Sequence, residues 1–281
     1  MPRLAVLGYP VGHSRSPAMH NAALAALGMD AEWSYEAIEV APEGFEALVR
    51  AMPGQGFAGA NVTVPHKLLA LALADSASET AREIGAANTL IFGPRGIHAD
   101  NTDAGGLLAS LPESPRGRSA LVLGAGGAGM AAVWALGAMG ARVGIWNRTP
   151  ARAETVRIEV AERAQQFHVE IEVNVVEPEP EAPVDLDLGG FDLIVNTTAV
   201  GLGGEDPFAE LPLRRDGFAP GQVVVDMVYS SAPSTLLAAA AECGARTVDG
   251  IEILVQQGAL SFELWTGRKP PLDVMRAAAR A

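Results

Sequence analysis

The chain has 281 residues, of which 49% are hydrophobic and 19% are charged, so it predicts a globular protein with a sizeable core and excludes a disordered one. A formal net charge of −13 at pH 7 argues against non-specific binding to nucleic acid or to an anionic membrane. A single cysteine, Cys243, excludes an intramolecular disulfide, and the first apolar run is too short for a signal or a membrane span, so we expect a cytoplasmic protein.

Strand-like and helix-like segments alternate through the first hundred residues. The predicted strands are 3–8, 32–39 and 56–62, with a short hairpin formed by 88–92 and 96–99. The predicted helices are 16–27, 42–52, 65–74 and 76–84. Alternation of this kind favours an α/β layer structure, and the length of the chain suggests two domains.

A second unit begins near residue 104. Its predicted strands are 118–123, 142–146, 191–196, 222–226 and 246–248, with a helix that ends near residue 139 between the first two. The alternation over 169–176 suggests an extra edge strand, and 177–183 is an acidic, proline-rich segment typical of a solvated loop. Helices over 251–265 and 272–281 close the chain.

A glycine-rich turn follows the strand 118–123. Gly124, Gly126 and Gly129 match G-x-G-x-x-G, in which glycines allow a tight turn and let backbone N–H groups approach a pyrophosphate at a helix N-terminus. Such a turn can also be purely structural. Because a strand precedes it and a helix and a further strand follow it, we favour nucleotide binding.

The end of the next strand indicates which dinucleotide is bound. Enzymes that use NAD usually place an acidic residue there for the ribose 2′-hydroxyl, and the run Trp146–Arg152 contains none. Arg148 and Arg152 could instead clamp a 2′-phosphate with charge-assisted hydrogen bonds. The alternative is that both arginines are solvated charges at a helix start. The missing acid favours NADP.

Lys67 is one of two lysines among 20 basic residues, so the other 18 (20 minus 2) are arginine. Arginine is effectively always protonated, whereas lysine can release and regain a proton. A lysine retained just after an apolar strand is therefore a candidate acid/base group. The alternative, a surface charge, suits the other lysine, Lys269, which lies in a loop between the closing helices.

Small polar residues gather in three clusters beside the strands of the first unit. The clusters are 8–21, 61–67, and 85–89 with 101–103. Convergent hydroxyl and amide groups suit a polyhydroxylated or carboxylated small molecule. Each also has a structural alternative, since Ser14 and Ser16 could cap a helix, Asn88 could be a turn residue, and Asp103 could be an N-cap.

Taken in chain order, these motifs resemble those of the shikimate dehydrogenase family. They are G-x-P-V-x-H-S-x-S-P-x-x-H-N from Gly8, N-V-T-V-P-H-K from Asn61, G-A-A-N-T, N-T-D, the glycine turn, N-R-T, and D-M-V-Y from Asp226, followed by Asp249-Gly250 and Gln257. The resemblance implies an N-terminal α/β substrate and catalytic domain, 1–103 completed by 250–281. It also implies a Rossmann-type NADP-binding domain, 104–249, with the active site in the cleft between the two.

The family's reaction is reversible hydride transfer between NADPH and the C3 carbonyl of 3-dehydroshikimate, giving shikimate. The resemblance implies a catalytic pair, Lys67 and Asp103, and a carboxylate site, Ser14 and Ser16. It implies that ring hydroxyls are held by Thr63, Asn88 and Gln257, with Tyr229 as a further candidate. The implied cofactor residues are Gly124, Ala125, Gly126, Gly127, Ala128, Gly129, Asn147, Arg148, Thr149, Arg152, Thr198, Gly250 and Ile253, the last in a position where the family often has methionine.

Two alternatives remain open. One is a quinate/shikimate dehydrogenase that uses NAD; both serines and the missing acid argue against it. The other is a non-catalytic sensor of nucleotide or shikimate on the same fold, since fold does not fix function, although such a protein would be expected to lose Lys67 or Asp103. We expect a small-molecule substrate, no metal, no nucleic-acid or membrane partner, and a monomer or homodimer.

Overall fold

The computed structural model describes residues 2–177, 185–229 and 234–281. The chain divides into two compact units, Met1–Gly106 with Leu254–Ala281, and Leu107–Ile253. Most of the predicted acidic loop, 178–183, lies outside the described residues. Within the described ranges, no helix is long and apolar enough to cross a membrane.

The first unit is built on a mixed six-stranded sheet. Its strands are β1 Arg3–Gly8, β2 Ser34–Glu39, β3 Phe57–Val62, β4 Ser76–Ala77, β5 Thr89–Gly93 and β6 Gly96–Asp100. Their order is β2-β1-β3-β5-β6-β4, in which β1 runs parallel to both β2 and β3 while β5 is antiparallel to β3 and β6. β1 lies inside the sheet and is almost entirely buried, which explains its nearly continuous apolar sequence.

Five helices accompany these strands in the sequence. They are α1 Ser16–Ala26, α2 Pro42–Ala51, α3 Lys67–Ala72, α4 Glu79–Ile84 and α5 Asp103–Ser110, with a short 3₁₀ turn at Pro53–Gln55. The helix predicted over 76–84 is wrong in its first residues. Ser76–Ala77 pair with β6 as β4, and α4 starts only after Ser78, whose hydroxyl accepts a hydrogen bond from the Ala81 N–H. An N-cap residue is extended, so the helix cannot begin before it.

The second unit contains a parallel six-stranded sheet. Its strands are β7 Ser119–Leu123, β8 Arg142–Trp146, β9 Glu172–Val175, β10 Leu193–Asn196, β11 Val223–Asp226 and β12 Arg246–Val248. The order β12-β11-β10-β7-β8-β9 is that of a doubly wound dinucleotide-binding fold, whose direction of winding reverses between the first and fourth strands, here β7 and β10. The predicted α/β class and Rossmann-type topology are confirmed, as is the extra edge strand, since β9 pairs in parallel with β8.

The remaining helices are α6 Gly127–Ala138, α7 Pro150–Phe167, α8 Pro207–Glu210, α9 Thr235–Glu242, α10 Gly250–Thr266 and α11 Leu272–Arg280. The sequence predictions missed α8, α9 and most of α7. α7 buries only Ala153, Val156, Val160 and Ala164, which is a narrow stripe at helical spacing. Charged residues cover much of the rest of α7, so its apolar period is weak in the sequence.

Candidate functional site

An ion pair joins the starts of two helices in the first unit. Lys67 is the first residue of α3 and Asp103 the first residue of α5. Lys67 Nζ lies 2.6 Å from Asp103 Oδ2, and the two side chains are only 12% and 10% exposed. A charged pair that is mostly withdrawn from water is more strongly coupled than a surface pair, because solvent screens it less.

Asp103 does not cap its own helix. The side-chain oxygen of Asn101 accepts hydrogen bonds from the N–H groups of Asp103 (3.1 Å) and Ala104 (3.4 Å). The carboxylate of Asp103 instead accepts from Lys67 at one oxygen and from Asn88 Nδ2 at the other, at 2.9 Å. The N-cap interpretation of Asp103 is therefore wrong, and both of its oxygens are committed to predicted site residues.

Asn88 links this pair to the C-terminal part of the chain. Its Oδ1 accepts from the Thr102 backbone N–H at 2.7 Å, and a backbone N–H can only donate, so this bond fixes which way the amide faces. Asn88 Nδ2 then donates to Asp103 Oδ1 and, at 3.2 Å, to Gln257 Oε1. Lys67, Asp103, Asn88 and Gln257 are thus one connected group, and Asn88 is a buried polar junction.

Close packing of α5 against α10 brings Gln257 to that junction. A Cβ atom added at Gly106 would lie 2.6 Å from Gln257 Cβ and 2.8 Å from its backbone nitrogen, so only glycine permits this approach. Gln257 Nε2 donates to the Leu254 carbonyl at 2.9 Å, which leaves Oε1 facing Asn88.

The other predicted substrate residues of the first unit, Ser14, Ser16 and Thr63, are not hydrogen-bonded to this group within the described residues. Ser16 is the first residue of α1 and is buried, and its N–H donates to Ser14 Oγ at 3.3 Å. The N-cap position belongs to Arg15, without a side-chain capping bond, so neither serine is the N-cap. Thr63 follows β3 and is partly exposed. Among the described residues, no hydrogen bond joins these three side chains to the Lys67 group.

The glycine turn of the second unit lies at the end of β7, where the sheet reverses its winding. Gly124 has φ +109°, a left-handed conformation that favours glycine, and a Cβ at Gly129 would overlap the Gly124 carbonyl oxygen. These two glycines are therefore required by the fold. Gly126 differs, because a Cβ there would meet nothing within 4 Å.

The space beside Gly126 is open and adjoins a helix start, where the sequence predicts a pyrophosphate. Gly126 is the N-cap of α6, and the first N–H groups of a helix, here those of Gly127, Ala128 and Gly129, have no partner within it. Such a terminus favours anions. Glycine at 126 is not demanded by any neighbouring protein atom, so a closely approaching ligand is a physical reason for it.

Asn147 connects the glycine turn to the predicted arginine clamp. Its Oδ1 accepts from the Ala125 N–H at 3.2 Å, and its Nδ2 donates to the Thr149 carbonyl at 2.9 Å. Arg148 is 82% exposed, and its guanidinium lies 3.9 Å from Glu210 Oε2. Arg152 is also exposed, in the first turn of α7. Both cations are therefore accessible to a phosphate beyond the end of β8.

A buried pair, Asn196 and Asp226, organises the ends of β10 and β11. Asn196 Nδ2 donates to Asp226 Oδ1 at 2.9 Å, and Asn196 Oδ1 accepts from the Thr198 hydroxyl at 2.7 Å. Burial raises the pKa of Asp226, against the opposing effect of its hydrogen bonds with Ser234, Val228 and Asn196. The pair thereby holds Thr198 and, through the Val228 N–H, the segment that leads to Tyr229.

Gly250 begins α10 against this same segment. A Cβ there would lie 2.7 Å from the carbonyl oxygens of both Met227 and Val228, so the close approach needs glycine. Ile253, one turn later, is buried.

Comparison with known proteins identifies the family. Residues 6–90 match the shikimate dehydrogenase substrate binding domain, and residues 250–280 match the shikimate 5′-dehydrogenase C-terminal domain. A shikimate dehydrogenase (NADP(+)) from Methanocella arvoryzae is 42% identical over 98% of this chain and 97% of its own length. The chain belongs to the shikimate dehydrogenase family. The resemblance found in the sequence motifs is therefore confirmed.

Solved structures agree with this membership. The shikimate 5-dehydrogenase of Thermus thermophilus, in complex with NADP(H) and shikimate, has a TM-score of 0.83 and 39% identity over 100% of this chain and 99% of that one. The 5-ketofructose reductase of Gluconobacter sp. strain CHM43 has a TM-score of 0.86 and 29% identity, covering 99% and 97%. A protein named for the reduction of a different ketone therefore has the same fold. The side chains of the site, and not the fold, must decide which ketone is reduced.

The sequence interpretation missed a buried set of hydroxyl and amide groups behind Asn88. The set comprises Asn61, Thr89, Thr102 and Ser261, all buried. Three of them stand inside the recognised motifs, but Ser261 stands outside. The available signal was its spacing, four residues after Gln257 and so on the same face of α10.

His20 is a second residue that the sequence interpretation passed over. It is fully buried, its ring stacks on Tyr35 with centroids 4.3 Å apart, and neither ring nitrogen has a hydrogen-bond partner among the described residues. Burial lowers the pKa of His20 to about 3, because a charged imidazolium there would be desolvated without compensation.

This burial predicts an acid-sensitive fold. In the unfolded chain a histidine binds its proton near pH 6.5, so between pH 6.5 and 3 the unfolded state holds more protons and stability falls as pH falls. Through His20 the wild type should lose about 1.4 kcal/mol of its free energy of unfolding per pH unit, or about 2 kcal/mol between pH 6.5 and 5. We expect His20→Phe to lack this loss. The measurement is the free energy of unfolding in urea at pH 7.5 and 5.0 for both proteins.

The same pair of proteins supplies the control. Between pH 7.5 and 8.5 His20 is neutral in both states, so the difference in stability between wild type and His20→Phe should stay constant there. An equal acid-induced loss in the two proteins would show that His20 contributes nothing to acid sensitivity.

Proposed function

We propose that the protein is an NADP-dependent shikimate dehydrogenase of the cytoplasm, which reversibly reduces 3-dehydroshikimate to shikimate in the biosynthesis of chorismate and the aromatic amino acids. The observation that carries the proposal is the Lys67–Asp103 pair, connected through Asn88 to Gln257, in a chain of this family. A cation that can donate a proton, beside amides that can bind hydroxyls, suits the reduction of a polyhydroxylated ketone.

In this proposal the first unit supplies the substrate site. Protonated Lys67 donates a proton to the C3 carbonyl oxygen during reduction and accepts it during the reverse oxidation. Asp103 orients the ammonium group and stabilises its charge. Asn88, Gln257 and Thr63 hold ring hydroxyls, with Tyr229 as a further ligand, and Ser14 with Ser16 binds the carboxylate.

The second unit supplies the dinucleotide site. NADPH, when bound, provides the hydride. The helix-start N–H groups after Gly126 bind the pyrophosphate, and the segment 147–149 with Arg152 binds the adenosine and its 2′-phosphate. Thr198, Gly250 and Ile253 complete the site. The proposed domain bounds are 1–103 with 250–281 for the substrate domain and 104–249 for the NADP domain, with Gly250 and Ile253 at the start of the second substrate-domain segment.

Absorbance of NADPH tests the function directly. We expect NADP to be reduced much faster with shikimate than with quinate. With shikimate as substrate, NADP should be reduced faster than NAD. Equal use of quinate and NAD would favour the quinate/shikimate alternative. Reduction of 5-ketofructose without turnover of 3-dehydroshikimate would contradict the proposal, and tight binding of shikimate without any turnover would indicate a sensor.

The glycine turn allows cofactor binding to be separated from folding. Gly126→Ala places a methyl group in space that no protein atom occupies, so the melting temperature should be unchanged while the KM for NADP rises about tenfold, since it blocks close approach of the phosphate. Gly129→Ala forces a clash with the Gly124 carbonyl and should cost about 1–3 kcal/mol of stability.

Thermal unfolding and initial-rate kinetics on both variants distinguish the two effects. If Gly126→Ala left the KM for NADP unchanged, the pyrophosphate would not approach this helix start. The proposed cofactor site would then need another location.

A further inference from the structure

Ser261 occupies the centre of the buried polar set behind the candidate site. It lies on α10, is fully buried, and follows Gln257 by one helical turn. Its Oγ lies 2.9 Å from Asn61 Nδ2, 2.8 Å from Thr89 Oγ1 and 3.0 Å from Thr102 Oγ1. One hydroxyl therefore joins α10 to β3, to β5 and to the segment just before α5.

The donors and acceptors around Ser261 constrain its role. A serine hydroxyl donates one hydrogen bond and accepts two. Asn61 Nδ2 also faces the backbone carbonyl of Asn88, at 3.3 Å, and a carbonyl oxygen can only accept. This identifies the amide nitrogen of Asn61, so Asn61 donates to Ser261. Because the Thr89 hydroxyl donates to Asn88 Oδ1, the Ser261 hydroxyl donates to Thr89 Oγ1 at 2.8 Å. Its second acceptor position then serves the Thr102 hydroxyl at 3.0 Å, and its Oγ also lies 3.2 Å from the Gln257 carbonyl of its own helix.

The two threonines lead from Ser261 to the amide of Asn88. Thr89 Oγ1 donates to Asn88 Oδ1 at 3.1 Å, and Thr102 supplies the backbone N–H that orients the same oxygen. Asn88 Nδ2 in turn faces Asp103 and Gln257. Displacing Thr89 and Thr102 would therefore displace the donor that holds the Asp103 carboxylate.

We propose that Ser261 is a positioning residue, which sets the position of Asn88 and Gln257 relative to the Lys67–Asp103 pair without touching the substrate. The inference rests on the proposed function. Misplacement of catalytic groups by a fraction of an ångström to about 1 Å can cost up to about 10²-fold in rate. Ser261→Ala should accordingly lower kcat about tenfold and raise the KM for shikimate, with the KM for NADP unchanged.

Thr266→Val is the matched control on the same helix. Like the Ser261 hydroxyl, the Thr266 hydroxyl lies near the carbonyl four residues earlier, here that of Phe262 at 2.8 Å, but its other hydrogen-bond partner is Arg268 at the helix end. The Thr266→Val variant should retain wild-type kcat and wild-type KM for shikimate. Ser261→Cys leaves no cavity, since its sulfur is somewhat larger than the hydroxyl oxygen, but it supplies only a weak donor and acceptor. It should therefore show the same roughly tenfold loss of kcat, and it keeps the test valid if Ser261→Ala folds poorly.

A double-mutant cycle distinguishes positioning from general stability. If Ser261 acts through Asn88, Ser261→Ala should cause no further loss of kcat in an Asn88→Ala background, whereas independent effects would multiply. Multiplying effects, or a Ser261→Cys variant with wild-type kcat, would overturn the inference. A wild-type protein without shikimate turnover would overturn the proposed function instead.

Discussion

Replacing Lys67 by arginine should lower kcat for shikimate oxidation by about 10²–10⁴, the usual contribution of a positioned general acid or base. Arginine keeps the positive charge beside Asp103 but does not release a proton at ordinary pH. In the wild type, Lys67 Nζ lies 2.6 Å from Asp103 Oδ2. The substitution therefore keeps opposite charges at the two positions but removes proton transfer. We expect the KM for shikimate to change only modestly.

The chain offers a matched control for this substitution. Lys269 is the only other lysine and is exposed in the loop between α10 and α11, so Lys269→Arg makes the same chemical change away from the candidate site. It should have wild-type kcat. Near-normal turnover in Lys67→Arg would exclude Lys67 from acid/base chemistry, and initial rates with both proteins at saturating substrate decide the point.

Arg148→Ala should raise the KM for NADP about 10- to 100-fold while leaving the KM for NAD nearly unchanged. A hydrogen bond to a charged group contributes about 1.5–3 kcal/mol, and the 2′-phosphate is the group that distinguishes the two cofactors. Arg148 is exposed, and its ion pair with Glu210 is long at 3.9 Å, so little has to be broken before it meets a phosphate.

Arg157→Ala is the control for net charge in this experiment. It removes one arginine from the same region, but Arg157 lies further along α7 and pairs with Glu154. Its KM for NADP should match that of the wild type. Equal rises in the KM for NADP and for NAD in Arg148→Ala would contradict the 2′-phosphate assignment.

Much of the second unit could be predicted from local sequence. The run Gly124–Gly129 leads from the end of β7 into the start of α6, as its pattern predicts. Gly124 is left-handed and Gly129 lies against the Gly124 carbonyl, so both positions need glycine. α9 was missed, although Ser234 caps it with a hydrogen bond to the Leu237 N–H. Alanine makes up four of the eight residues of α9, so the apolar period that identifies a packed helix is faint.

The strand at Ser76–Ala77 shows a different limit. Two residues carry too short a pattern to be recognised, and they become a strand only because β6 lies beside them. Tertiary pairing overrides the helical preference of the segment there.

The sequence by itself determined the family and the Rossmann-type glycine turn, and it predicts NADP as the cofactor. Each depends on residue types a few positions apart, since an acid either follows β8 or does not. Only the tertiary structure decided that Asn88 meets Gln257 across 169 residues and that Asn61 meets Ser261 across 200. Those contacts arise where α10 packs closely on Gly106, and no local period encodes which two distant surfaces will fit together.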